Sequence, residues 1–174
     1  MRAEKPLPSQ EYLRECFHYE PTTGRLIWRA RPPLHFPSVR LCKAWNYQWP
    51  GDCAGMVDAK GYFHIKLDNE AYAAARIIFK WMTGREPTRW MDHRDGDPTN
   101  NRWDNLREST PAQNTINVSA HPMRGVHKLP SGRFEARLNK GGKYIYLGIF
   151  PSAETAHAAY DAAKQSHWGE FARR

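Results

Sequence analysis

Apolar and polar positions alternate with two periods along the chain, and the switches between them mark the expected elements. Residues 9–20 predict a short helix, with Ser9 as N-cap before Glu11, Tyr12 and Leu13. Pro21-Thr22-Thr23-Gly24 reads as a turn and Arg25 to Arg29 as a strand. Residues 30–50 have no clear period. Pro32, Pro33, Pro37 and Pro50 interrupt them, among Trp45, Tyr47 and Trp49, and they are expected to be irregular. A strand pair follows at 55–57 and 62–67, around the turn Asp58-Ala59-Lys60-Gly61. Residues 70–83 predict a helix whose Ala74, Ile77, Ile78, Trp81 and Met82 share one face. Gly84 is its C-cap, and Pro87 stops any continuation.

Trp90 to His93 reads as the end of a short strand, and 94–104, dense in Asp, Asn, Gly and Pro, as a loop. Leu106 to Ser109 forms a second strand. A helix then opens at Thr110-Pro111-Ala112-Gln113: Thr110 caps, Pro111 takes the first helical position and Gln113 completes a capping box. Asn114 therefore falls in the first helical turn. Residues 117–123 make a polar linker.

From Arg124 the pattern is one of alternation. Strands are expected at 125–128, 133–139 and 144–150, with turns at 130–132 and 140–142, and a helix from Ala153 to about Ser166. Its Ala153, Ala156, Tyr160 and Ala163 recur at helical spacing. In the second strand Arg133, Glu135, Arg137 and Asn139 share one face, while Phe134, Ala136 and Leu138 point to the helix. The fold class is α+β, with three strands and one helix as a separate C-terminal module.

Composition narrows the function. The 174 residues fit one large or two small domains, and aromatics at 13% give small cores enough bulk to fold although only 40% of residues are hydrophobic. No run of about 18 apolar residues occurs; the best stretch, Ala71 to Met82, is broken by Arg76 and Lys80. The N-terminus lacks the apolar core of a signal peptide, so a cytoplasmic protein with no membrane partner is expected. The three cysteines, Cys16, Cys42 and Cys53, form no C-x-x-C pair. That excludes a four-cysteine zinc site and reads as buried or half-buried thiols; a mixed site joining Cys42 and Cys53 to a histidine stays open.

The net charge of +8 suggests a polyanionic partner, and it is unevenly placed. Residues 1–60 are net +3, 61–120 neutral and 121–174 net +5. The basic excess is chiefly C-terminal, whereas the neutral middle third mixes acids with His and Asn. There, Asp92, His93 and Asn114 combine a carboxylate and an amide oxygen, hard ligands suited to Mg²⁺, with an imidazole whose ordinary pKa near 6.5 suits a general base. Phosphodiester hydrolysis needs those two functions. Taken alone, the triplet is more often the content of a solvated loop.

The run Asp92-His93-Arg94-Asp95-Gly96-Asp97, with Asn101-Arg102, Asn105-Leu106-Arg107 and Asn114, closely resembles the HNH homing-type endonucleases of phages over about residues 60–118. The resemblance implies a ββα-metal core at about 89–118. In it Asp92 and Asn114 bind a divalent cation, His93 is the general base, and Asn105 holds the loop and the histidine backbone. Two departures stand out. A His-Arg pair common in the preceding helix is Ala75-Arg76 here, leaving Arg76 for phosphate contact, and the last motif position is Asn, which favours Mg²⁺ or Mn²⁺ over zinc.

The C-terminal stretch resembles AP2/ERF-type DNA-binding domains over about 123–172, through Arg124-Gly125-Val126, Gly132-Arg133-Phe134, Tyr146-Leu147-Gly148-Ile149-Phe150, Ala153-Glu154-Thr155-Ala156, Ala159-Tyr160-Asp161 and Gly169. Carried over by position, sheet contacts to DNA fall to His127, Leu129, Ser131, Arg133, Arg137, Asn139, Tyr144 and Tyr146, with Arg124, Lys128 and Lys143 adding positive charge. Leu129 stands where Arg is usual, and Ser131 and Tyr146 where Trp is usual. In the N-terminal region Arg25, Arg29, Arg31, Arg40 and Lys43 would follow a phosphate backbone with Trp45 or Trp49 as wedges, or these aromatics form a small core.

The expected organisation is an HNH nuclease domain at 1–118, a linker at 119–123 and an AP2-like domain at 124–174. The expected function is a Mg²⁺- or Mn²⁺-dependent endonuclease, acting as a monomer on double-stranded DNA in the cytoplasm of a phage-infected bacterium. The rivals are a non-catalytic DNA-binding regulator with a decayed nuclease domain, and an RNA-binding or RNA-cleaving protein.

Overall fold

The computed structural model describes residues 5–59, 61–111, 113–114 and 125–172, with the backbone alone at Glu170. The chain divides into two compact units, 1–93 with 97–108, and 94–96 with 109–174. The expected linker, 119–123, lies outside the described residues.

In the first unit α1 (Gln10–Cys16) starts where predicted, Ser9 Oγ accepting from the Tyr12 N–H. It ends earlier. Residues 17–20, expected to continue the helix, form β1 (Phe17–Glu20), because Phe17 and Tyr19 are buried and His18 between them is exposed, a period of two. β1 pairs antiparallel with β2 (Arg25–Trp28) across the expected turn.

The segment expected to be irregular contains α2 (Val39–Gln48), capped by Ser38 Oγ accepting from the Leu41 N–H. The chain then returns to β2, where Gly51 N–H donates to the Trp28 carbonyl and Ala54 N–H to that of Leu26. β3 (Met56–Val57), β4 (Phe63–Leu67) and β5 (Glu70–Ala73) form an antiparallel meander. Asp68 and Asn69, at φ 50° and 66°, make a two-residue hairpin turn of the type those residues favour. That turn commits 70–73 to a strand, so α3 (Ala74–Thr83) begins four residues later than expected. Its buried face, with Ala74, Ile77 and Ile78, packs with Leu13, Phe17, Tyr19, Ile65 and Leu67 into one core.

β6 (Trp90–His93) and β7 (Leu106–Ser109) form a separate two-stranded sheet. Leu106 and the neighbouring Trp103 join the same core, tying the strands of the Asp-His motif to the body of the unit. Behind them, Glu108 accepts from the Thr88 N–H at 2.7 Å and from Arg85 Nη1 at 3.2 Å. The Arg85 guanidinium holds the Glu108 carboxyl down at about 2. A depressed carboxyl contributes stability above the unfolded pKa, and that contribution disappears as pH falls through the folded value. Glu108→Gln is therefore expected to be less stable than wild type at pH 7. Urea titrations should show the gap narrowing below about pH 4.3, the ordinary Glu value, and closing near pH 2; a gap that does not depend on pH would sink the assignment.

After β7 a helix opens at Pro111. Gln113 N–H donates to Thr110 Oγ1 at 3.2 Å, and Thr110 N–H to Gln113 Oε1 at 2.8 Å, the reciprocal pair of a capping box. Asn114 N–H reaches the Thr110 carbonyl at 2.9 Å, in the first turn.

In the second unit β8 (Val126–Lys128), β9 (Phe134–Lys140) and β10 (Lys143–Phe150) form an antiparallel sheet in the order β10-β9-β8. α4 (Ala153–Trp168) lies on one face, opened by a Ser152–Thr155 capping box. Ala156, Tyr160 and Lys164 are its buried residues, against Ala136 and Leu138 of β9. Gly125 sits at φ +76°, where a Cβ would stand 2.5 Å from the Arg137 carbonyl oxygen and 2.3 Å from the Tyr160 ring, so no larger residue fits.

Candidate active site

Asp92 and His93 are neighbours on β6 and are both buried, so their side chains leave the strand on opposite sides into covered surroundings. On one side Arg107 of β7 donates through Nε to Asp92 Oδ2 at 2.8 Å. Each of these two side chains is 5% exposed. This buried ion pair spans the two strands and fixes the carboxylate. A carboxylate offers two oxygens and about four lone-pair sites, so it can hold Arg107 and other partners at once.

On the other side His93 Nε2 lies 3.1 Å from Asn101 Oδ1. Asn101 Nδ2 donates to the Thr99 carbonyl at 3.4 Å, which turns the amide oxygen toward the imidazole. An amide oxygen only accepts, so His93 carries its proton on Nε2 when neutral, and the basic lone pair belongs to Nδ1.

The loop between the strands is wound by its own side chains. Asp97 Oδ1 accepts from the Thr99 N–H at 2.9 Å and the Thr99 hydroxyl at 2.7 Å, an Asx turn. Asn105 Nδ2 donates to the Asn100 carbonyl at 2.7 Å, closing the far end of the loop. The core reaches the loop as well. The Tyr19 hydroxyl donates to the Asn101 carbonyl at 2.9 Å, and burial pushes that phenol up to about 12, so it stays a donor. At Gly24, φ +73°, a Cβ would stand 2.5 Å from the backbone at Asn101 and Arg102. The β1–β2 turn therefore seats the loop only because it has no side chain there.

Sequence reasoning missed Asn101, Tyr19, Gly24 and the partnership of Arg107. For Asn101 and Arg107 there was a signal, since both fall inside the motif run; Tyr19 and Gly24 lie some eighty residues earlier. Arg76, expected at phosphate, donates to Glu86 at 3.3 Å and to the Lys5 carbonyl at 3.2 Å, holding the N-terminal arm against α3. Asn114 is half-buried on the helical turn described above. Cys42 is buried and accepts from Asn46 Nδ2, whereas Cys53 is exposed, against the expectation that every thiol is covered. Among the described residues no three His, Cys, Asp or Glu side chains gather as a metal site, so Cys42 and Cys53 have no such cluster there.

On the second unit's open face Tyr146 pairs with Arg137 and Tyr144 with Asn139, and both tyrosines are exposed. Glu135 is buried beneath Arg137, which donates to both carboxylate oxygens, Nη2 to Oε2 at 2.8 Å. The guanidinium holds that carboxyl below the usual range. His127, Lys128, Arg133 and Lys143 are exposed, and Arg133 Nη2 reaches the Ile149 carbonyl. Leu129 is half-buried and Ser131 exposed, while Arg124 lies outside the described residues. No helix among the described residues is long and apolar enough to cross a membrane.

Comparison with known proteins bears on the Asp-His motif. An HNH endonuclease family model matches residues 72–116, a span containing Asp92, His93, Asn101, Asn105, Arg107 and Asn114. An uncharacterized HNH endonuclease of Acanthamoeba polyphaga mimivirus is 33% identical over 84 residues, 48% of this chain and 45% of the relative. The match thus spans under half the relative's length. No solved structure matches the chain. The paired strands β6 and β7, the loop they enclose and the capped helical turn at Pro111 lie within residues 72–116, the stretch that the HNH endonuclease family model matches.

Proposed function

We propose that this protein is a divalent-metal-dependent DNA endonuclease of the homing type, hydrolysing phosphodiester bonds and directed to its site by an AP2-like C-terminal sheet. The observation that carries this reading is the buried His93, tautomer set by Asn101, beside Asp92 on one strand of an HNH family match. His93 Nδ1 takes a proton from the attacking water, and Asn101 Oδ1 stabilises the imidazolium that forms. Asn105 keeps the loop closed around it through the Asn100 carbonyl.

HNH nucleases generally use divalent metals, and the donor set here suits a hard cation: the motif assigns Mg²⁺ or Mn²⁺ to the Asp92 carboxylate and the Asn114 amide. When bound, such an ion neutralises charge on the scissile phosphate and the leaving oxygen. Arg107 orients the Asp92 carboxylate from the opposite strand.

Arg137, Asn139, Tyr144 and Tyr146 on the open sheet face, flanked by His127, Lys128, Arg133 and Lys143, have the donors and rings a major groove accepts. The Glu135 fork around Arg137 holds that guanidinium in one orientation. The substrate is double-stranded DNA and the acting species a monomer.

Incubation with supercoiled plasmid tests the proposal. Relaxed or linear product is expected with Mg²⁺ and none with EDTA. If the protein binds duplex DNA equally with or without EDTA and never converts plasmid or genomic DNA, it is a regulator and the proposal fails.

A further inference from the structure

From Pro21 to Gly51 the chain carries five basic residues and no acidic one. Arg31 among them is buried: its guanidinium contacts Asp68 at 2.7 Å and lies 5.0 Å and 5.3 Å from the ring centroids of Phe36 and Trp45. The exposed remainder includes Arg40 and Lys43 on α2.

Among the described residues α2 is fastened along one side. Asn46 accepts from the Arg31 N–H at 2.9 Å and donates to the Arg31 carbonyl at 2.8 Å, clamping that residue's backbone. Cys42 adds a contact to the same carbonyl, and Trp45 packs edge-on against Trp28. Trp45 is half-buried there, its ring also meeting Phe36 and the Arg31 guanidinium. At 100° per residue, Arg40, Lys43, Ala44 and Tyr47 lie opposite Cys42, Trp45 and Asn46. All four are exposed, Tyr47 at 95%. Among the described residues the side chains of Arg40, Lys43 and Tyr47 make no hydrogen bond or ion pair.

A helix clamped on one side and presenting two cations and a tyrosine on the other is built to meet a polyanion. Arg40 to Tyr47 covers about 10 Å of helix axis, about three nucleotide steps of one DNA strand. We infer that the Arg40–Lys43–Tyr47 face of α2 is a second duplex-DNA contact, taking the phosphate backbone independently of the C-terminal sheet. This rests on the DNA-endonuclease reading. It adds a sequence-independent grip within the unit that carries His93. Lys43 and Arg40 pair with phosphates, and the Tyr47 hydroxyl donates to a phosphate oxygen.

The test compares full-length wild type with Arg40→Ala/Lys43→Ala/Tyr47→Ala in duplex binding with EDTA present, across a salt series. Alanine favours the helix, so the fold is kept; equal urea midpoints verify this. Loss of two phosphate contacts should lower the slope of log K against log salt by about 1.8, at ~0.9 per phosphate. The charge-reversed Arg40→Glu/Lys43→Glu should bind more weakly still. A variant with wild-type affinity and slope overturns the inference, and so does a wild-type dimer that the alanine variant converts to monomer, which would make the face a self-association surface. Plasmid cleavage is scored separately. Wild type that binds with the predicted α2 dependence but never cleaves refutes the nuclease reading and supports this one. Wild type that cleaves, with α2 variants unchanged, does the reverse.

Discussion

His93→Ala is expected to slow metal-dependent plasmid cleavage by about 10²–10⁴-fold, the usual contribution of a positioned general base, while duplex binding in EDTA stays at the wild-type level. His93 is buried on β6 with Nε2 facing Asn101 Oδ1, so its ring orientation and tautomer are set before substrate arrives. Alanine removes the base without disturbing the Asp92–Arg107 pair on the other side of the strand. Asn101→Leu separates position from presence. The imidazole remains, but the proton is free to move to Nδ1, and a base in the wrong tautomer costs up to about 10⁴-fold in a well-studied protease. Nitrogen chemical shifts of the His93 ring should report a mixed tautomer in Asn101→Leu and recovery in Asn101→Asp, which restores an acceptor. Cleavage by His93→Ala at the wild-type rate would falsify the assignment. An unchanged tautomer in Asn101→Leu would remove Asn101 from it.

Arg107→Met should be the most destabilising single substitution in the site, at about 3–5 kcal/mol, because it removes the buried charged donor at Asp92 Oδ2. The effect is read as a lowered urea midpoint with an unchanged slope. The double replacement Arg107→Met/Asp92→Leu should recover most of that stability, since removing both charges together leaves neither buried without the other. It should not recover cleavage, because the proposed metal carboxylate is gone. That contrast distinguishes a carboxylate needed for chemistry from one needed only for folding. An Arg107→Met protein within about 1 kcal/mol of wild type would mean that water or another cation already serves Asp92.

The departures from the sequence reading share a cause. Phe17 to Glu20 continues a plausible helical period from Leu13, and only its pairing with β2 makes it a strand. Asp68-Asn69 is a hairpin signal overlooked because the residues after it also suit a helix; its two positive φ values set the strand that follows. α2 hides in a proline-rich stretch because its buried side is mainly Cys42, Trp45 and Asn46, too narrow and too polar to register as an amphipathic period. Those partners become intelligible once Arg31 is seen clamped beneath them.

By itself the sequence determined whatever closes within a turn or a hairpin. The Ser9 cap, the Thr110–Gln113 box, the Gly84 stop, the alternation of β9 and the Asp-His and Asn positions of the motif are all local, written in residues three or four apart or in a fixed run. Tertiary structure alone decided what holds the motif in place. Asn101 meets His93 eight residues away, Arg107 meets Asp92 fifteen away and Tyr19 meets Asn101 eighty-two away. Such contacts form only after chain entropy has been overcome by burying the core that Leu106 and Trp103 enter. No local pattern encodes which donor will face which acceptor when that core closes.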